Sequence, residues 1–177
     1  LKLIFFLLFK FSVLTLITMN HKNALKHSIF KYIKESATEL NAESYVIGGF
    51  VRDYLLERGD AKDIDVVVVG SGIELAKHVA KNLPNPPKVQ VFKTYGTAML
   101  RYDDIEIEFV GARKESYNEN SRNPVVENGS LEDDQNRRDF TINALALSLN
   151  KEDFGELLDP FNGVNDLDKG IIRTPLN

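Results

Sequence analysis

Asp63 and Asp65 stand two residues apart at the head of the apolar run Val66-Val67-Val68-Val69. On a β-strand, side chains alternate with period two, so both carboxylates face the same side. Two such groups repel each other unless a cation lies beside them. Their hard oxygens suit Mg²⁺, which takes one or two carboxylates together with substrate phosphates. Upstream, Gly48-Gly49-Phe50-Val51-Arg52-Asp53 follows the short strand Tyr45-Val46-Ile47 and opens a helix running to Leu56. A glycine pair at that point lets a ligand approach the backbone at a helix start, where anions are favoured. Arg52 is placed to reach a phosphate held there. The pattern points to metal-assisted chemistry on a nucleotide. The plainer alternative is a tight strand-to-helix turn, with Arg52 in a surface ion pair to Asp53 or Glu57.

The elements around these residues alternate between helix and strand. His27 to Leu40 carries Ile29, Phe30, Ile33, Ala37 and Leu40 at the spacing of an amphipathic helix. Strands are predicted at Tyr45–Ile47 and Ile64–Val69, then a helix at Ile73–Leu83 that ends before Pro84, Pro86 and Pro87. Three strand-like runs follow, Val89–Phe92, Thr97–Tyr102 and Ile105–Val110, the last two joined by an Asp103-Asp104 turn. In the last run Glu106 and Glu108 share one face, which on its own reads as the solvated side of an edge strand. Arg113 to Gln135 is polar and aperiodic and reads as a long mobile loop, its final acids capping the next helix. That helix should bury Phe140, Ala144 and Leu147 and align Asp139 with Asn143 on an adjoining stripe, beside ordinary surface arginines. Pro160 is read as fixing a closing turn, with Gly163 at an unusual backbone angle. The fold class expected is α/β (α+β), a mixed sheet with helices packed mainly on one side.

The chain has 177 residues, 43% hydrophobic and 27% charged, enough for one domain with a real core. It has no cysteine, which excludes a disulfide framework or thiolate metal site and fits a reducing cytoplasm. A net charge of -4 gives no general attraction to nucleic acid. Leu1 to Met19 is strongly apolar, interrupted by Lys10 and lacking a clear cleavage pattern. Residues 1–18 are read as translated upstream sequence outside the fold, with Met19 as the initiator. A signal or anchor is the alternative.

Four motifs in order carry a resemblance. They are Gly48-Gly49-Phe50-Val51-Arg52-Asp53, Asp63-Ile64-Asp65-Val66-Val67-Val68, Arg137-Arg138-Asp139-Phe140-Thr141-Ile142-Asn143-Ala144 and Asp159-Pro160-Phe161-Asn162-Gly163-Val164. From Ser44 onward the chain resembles the head domain of the class II tRNA nucleotidyltransferase (CCA-adding) and bacterial poly(A) polymerase family, whose head in turn resembles that of DNA polymerase beta. The resemblance implies template-independent transfer of nucleotides from CTP and ATP to the 3′ end of tRNA or another RNA, with Mg²⁺ held by Asp63 and Asp65. It nominates Glu108 as the third catalytic carboxylate. Gly48, Gly49, Arg52, Arg138, Asp139 and Asn143 become nucleotide-binding residues, with Asp139 holding Arg138 in place. Residues 19–177 are then a head domain truncated before the base-reading and tRNA-binding helical regions, cytoplasmic and without a membrane partner. CCA, CC-only, A-only and poly(A) addition are not separated by these residues. A small-molecule nucleotidyltransferase shares the paired aspartates but lacks the arginine motif, and a non-catalytic nucleotide-binding domain would not need three acids.

Nothing in the strand and helix pattern calls for the apolar leader, and an exposed run of that kind invites aggregation. A chain beginning at Met19 should therefore give several-fold more soluble protein than the full 177 residues, as a side-by-side expression and sedimentation assay would measure.

Overall fold

The computed structural model describes residues 20–59, 61–116 and 125–175, so the expectation for residues 1–18 lies outside the described residues. Nine strands and five α-helices are found among them, numbered here in chain order. Seven strands form one mixed sheet in the order β3-β4-β5-β2-β1-β8-β9. These are β1 (Glu43–Ile47), β2 (Asp63–Val69), β3 (Gln90–Phe92), β4 (Thr97–Tyr102), β5 (Ile105–Gly111), β8 (Ala146–Ser148) and β9 (Leu157–Leu158). The central pair β2 and β5 is parallel, and the other neighbours are antiparallel.

One face of the sheet carries the main core. Helix α1 (Ser28–Glu39) turns Ile29, Phe30, Ile33 and Ala37 inward, as its 3.6-residue spacing requires. Helix α3 (Gly72–Asn82) does the same with Leu75, Ala76, Val79 and Ala80, and its start is capped by the Ser71 hydroxyl, which accepts from the Glu74 amide at 3.2 Å. They pack on Val46, Ile64, Val66, Val68, Ala98, Leu100, Ile107, Phe109 and Leu147, all of them fully or almost fully buried. Fully burying an aliphatic or aromatic side chain of this size contributes roughly 1.5–3 kcal/mol. The opposite face holds a smaller cluster of Tyr45, Ile47, Val67, Ala112, Leu131 and Ala146. The helices therefore sit mainly on one side, as expected. Among the described residues, no helix is long and apolar enough to cross a membrane.

Three local expectations are corrected. Of the stretch Arg113 to Gln135 read as a loop, residues 117–124 lie outside the described residues, and in the rest β6 (Arg113–Ser116) pairs antiparallel with β7 (Val125–Asn128) and α4 (Leu131–Asn136) follows. The cap of α4 is Ser130, whose hydroxyl accepts from the Asp133 amide at 3.1 Å while Asp133 accepts from the Ser130 amide at 2.8 Å.

The predicted helix through Phe140, Ala144 and Leu147 is also absent. The chain instead makes a 3-10 turn at Thr141–Asn143 and enters β8, which pairs with β1, and Phe140 is left exposed. Residues Ala144 to Leu149 are all buried. A strand covered on both faces gives a continuous apolar run that periodicity alone cannot tell from a buried helix.

The left-handed residue in the closing turn is Asn162, with φ 59°, rather than Gly163. Gly163 opens α5 (Gly163–Lys169) and is needed for close approach, since a Cβ there would lie 2.5 Å from the Thr141 carbonyl oxygen. Asp159 accepts from the Gly163 and Val164 amides at 2.6 and 2.9 Å, and buried Asp166 accepts from the Thr141 hydroxyl at 2.8 Å. Gly163→Ala would force α5 off the 3-10 turn and should destabilise the fold by about 1–3 kcal/mol, measured as a lower midpoint in urea unfolding.

Candidate active site

Period-two alternation along β2 separates its two tasks. Ile64, Val66 and Val68 enter the main core, whereas Asp63 and Asp65 project from the other face and keep solvent contact. Parallel pairing with β5 sets Glu106 beside Asp63 and Glu108 beside Asp65. Glu106 is drawn away by Arg101, which donates to it from Nε at 2.8 Å, and because β5 lies between β4 and β2 the shared face of Glu106 and Glu108 is not that of the edge strand read from sequence. Glu108 stays half-buried next to Asp65. The three nominated acids thus occupy one face of two adjacent strands.

The antiparallel neighbour on the other side is β1, whose Ile47 pairs with Asp65. Gly48 follows with φ 80°, a conformation that favours glycine. A Cβ on Gly48 would lie 3.3 Å from Arg138 Nη1 and 3.7 Å from Asp65 Oδ2, so its missing side chain keeps the space between these two groups open. The Gly48 amide donates to the Leu145 carbonyl at 3.1 Å and so is already engaged by backbone. Gly49 begins helix α2 (Gly49–Leu55), which buries Val51 and carries Arg52.

Arg52 is held in a fork. Its Nε and Nη2 donate to the two carboxylate oxygens of Asp53, each at 2.9 Å, and Nη1 donates to Asn143 Oδ1 at 2.9 Å. The guanidinium hydrogen bonds hold the Asp53 carboxyl below the usual carboxylate range. The arginine that was expected to lean on Asp139 leans elsewhere. Arg138 donates from Nη2 at 3.0 Å and Nε at 3.2 Å to Asp134 Oδ2, and Arg137 donates from Nε at 3.0 Å to Asp134 Oδ1. Asp134 is fully buried, whereas Asp139 is exposed. Asn143 joins the two arginines: its side chain meets Arg52 and its carbonyl lies 3.5 Å from Arg138 Nη1. It is not on a helix with Asp139, so their i,i+4 alignment is lost.

The ion pair of Arg52 with Asp53 is the plainer alternative read from sequence, whereas Asp134 was missed as the partner of Arg137 and Arg138. The i,i+3 and i,i+4 spacing of Asp134 to Arg137 and Arg138 was the available signal, but the same acids also read as a helix cap.

Desolvation by the surrounding protein raises the Asp65 carboxyl above its ordinary value despite its solvent contact. Arg138 opposes that rise, while Glu108, Asp63 and Asp134 add to it. A carboxylate under this pressure is suited to a cation. Among the described residues, no three acidic or histidine side chains converge into a ready metal cage. The donor set still fits a hard divalent ion that draws part of its coordination from phosphate and water.

The signature described as the poly(A) polymerase head domain matches residues 44–173. The chain belongs to this family. Nucleotidyltransferases of the family generally use divalent metal ions. This head domain is 45% identical over 130 residues to the A-adding tRNA nucleotidyltransferase of Aquifex aeolicus, covering 73% of this chain and 15% of that protein. It is 35% identical over 158 residues to the A-adding tRNA nucleotidyltransferase of Halalkalibacterium halodurans, covering 88% of this chain and 36% of the relative. A crystal structure of a tRNA nucleotidyltransferase with a primer tRNA and an incoming ATP analog superposes with a TM-score of 0.70 at 40% identity, over 81% of this chain and 38% of that one. The head domain thus spans between 15% and 36% of the length of these curated relatives.

The raised Asp65 carboxyl has a consequence for stability. Its folded pKa lies above its unfolded value, so between the two the folded state holds more protons, and stability falls as pH rises through that window. At neutral pH without divalent cation, Asp65→Asn should therefore raise the melting temperature, and the gap should close below the carboxylate range. Melting curves in chelator across pH test this, and a lowered melting temperature at pH 7 would refute it.

Proposed function

We propose that this head domain, as part of a longer cytoplasmic enzyme, catalyses template-independent addition of nucleotides from CTP and ATP to the 3′ end of tRNA. Residues 19–177 form the catalytic head in this reading, and base choice and tRNA grip reside in further regions. The observation that carries it is the joint placement of Asp63, Asp65 and Glu108 on one face with the Arg138 guanidinium across the gap left by Gly48.

Asp63 and Asp65 would hold divalent cation, Mg²⁺ by the hardness of their oxygens, and Glu108 completes the acidic face. Held there, such an ion would supply positive charge that favours ionisation of an attacking hydroxyl and offsets the charge of a leaving pyrophosphate. The RNA 3′-hydroxyl gives up its proton to solvent as its oxygen bonds to the α-phosphorus, the bond from that phosphorus to the α,β-bridging oxygen breaks, and pyrophosphate leaves. Arg52 and Arg138 bind and orient the phosphate oxygens, and because their carboxylate partners fix them beforehand, little reorganisation is needed as charge moves. Gly48 leaves room for the nucleotide to approach, and the Gly49 amide is available at the start of α2. Asn143 keeps the two arginines in a fixed relation, and exposed Asp139 is free to meet the nucleotide directly. No covalent enzyme intermediate is required.

A-only, CC-only or poly(A) addition is the alternative within the same chemistry. Sequencing the gene past Asn177 distinguishes these, since the family's base-reading motif would lie there.

In the complete enzyme, Asp63→Ala or Asp65→Ala should reduce Mg²⁺-dependent nucleotide incorporation by at least about 10³-fold with the circular dichroism spectrum retained. Near-normal turnover in either folded variant sinks the assignment.

A further inference from the structure

We infer that Asp134 is a positioning residue that fixes the orientation in which Arg138 meets the triphosphate. This rests on the reading of Arg138 as a nucleotide contact. Asp134 lies on α4 with no solvent exposure, and both its oxygens are engaged by guanidinium groups, Arg137 on Oδ1 and Arg138 on Oδ2. Helix α4 is itself fixed at both ends. The Ser130 and Asp133 capping box closes its start, and buried Gln135 donates from Nε2 to the Ala144 carbonyl at 2.7 Å near its end.

The geometry uses one edge of Arg138 and spares another. Nε and Nη2 are both spent on Asp134 Oδ2, which sets the plane of the guanidinium. Among the described residues, Nη1 meets only the Asn143 carbonyl at 3.5 Å, the outer limit of a hydrogen bond, and it borders the gap beside Gly48 and Asp65. The free edge is therefore aimed at the place where a phosphate oxygen would sit.

The charge pairing points the same way. Both Nε and Nη2 of half-buried Arg138 meet one oxygen of the buried Asp134 carboxylate. Removing the carboxylate would take this counter-charge from the half-buried Arg138 guanidinium. Arg138 would then turn toward Asp65, Glu108 or solvent, and the ordering cost that Asp134 has already met would fall on nucleotide binding.

The test is the affinity of the 177-residue chain for fluorescently labelled ATP with Mg²⁺, compared among Asp134→Asn, Arg138→Lys, Arg138→Ala and the Asp134→Asn/Arg138→Ala double variant. Asp134→Asn and Arg138→Lys should each weaken binding about tenfold. In the Arg138→Ala background, Asp134→Asn should add nothing, because its effect passes through that side chain. A purely structural role for Asp134 would instead give the same factor in both backgrounds and would overturn the inference, as would wild-type affinity in Asp134→Asn while Arg138→Ala binds weakly. Should Asp134→Asn fail to fold, Arg138→Lys decides: it keeps the charge but cannot form the fork, and wild-type affinity there rejects the proposal. Unchanged affinity in Arg138→Ala overturns the reading of Arg138 itself, and the positioning role falls with it.

Discussion

The parallel, in-register pairing of β2 with β5 is the constraint on which the rest of the structure depends. It lies at the centre of the sheet, and each strand serves two environments through alternate residues. Ile64, Val66, Ile107 and Phe109 anchor the main core, while Asp65 and Glu108 come side by side on the opposite face. A slip of one residue would carry carboxylates into the core and apolar side chains into solvent. The hydrophobic effect therefore enforces the register that the acidic site requires. Fold stability and site geometry share one cause.

Beside that acidic face, the arginines of the candidate site are themselves restrained. Arg52 is forked by Asp53, and Arg137 and Arg138 share Asp134. Free arginines beside three carboxylates would collapse onto them and neutralise the site. Holding Arg52 on Asp53, and Arg137 and Arg138 together on Asp134, keeps cation and anion apart until a ligand bridges them. Asn143 spans the two systems with its side chain on one arginine and its carbonyl next to the other, which makes the 3-10 turn at Thr141–Asn143 the joint of the site. That turn is braced from below by Asp166 through Thr141, which explains why a motif far along the chain belongs to the same unit.

Elements with a single strong period were legible from residues alone. The two core helices and the strands Asp63–Val69, Thr97–Tyr102 and Ile105–Gly111 follow directly from spacing, and so does the shared face of the two aspartates. The arginine region was not. Ala144 to Leu149 is buried on all sides, so its pattern carries no period, and helix was read where β8 pairs with β1. The β6–β7 hairpin was hidden because its polar residues lack alternation. The role given to Asp139 belongs to Asp134, because once the helix is replaced by a turn, Arg138 faces back toward α4 rather than forward along the chain. Local spacing put the acids of β2 on one face, and long-range packing chose which acid meets which arginine.

The two margins of the sheet are stubs: β3 has three residues and β9 has two. An exposed margin is a row of unsatisfied backbone donors and acceptors that can recruit another polypeptide. With so few groups on offer, neither side can nucleate a lasting intermolecular ladder. The long, strongly pairing strands that bear the carboxylates are shielded in the middle, and a domain built on a seven-stranded sheet is thereby protected against fibrous self-assembly through its own architecture.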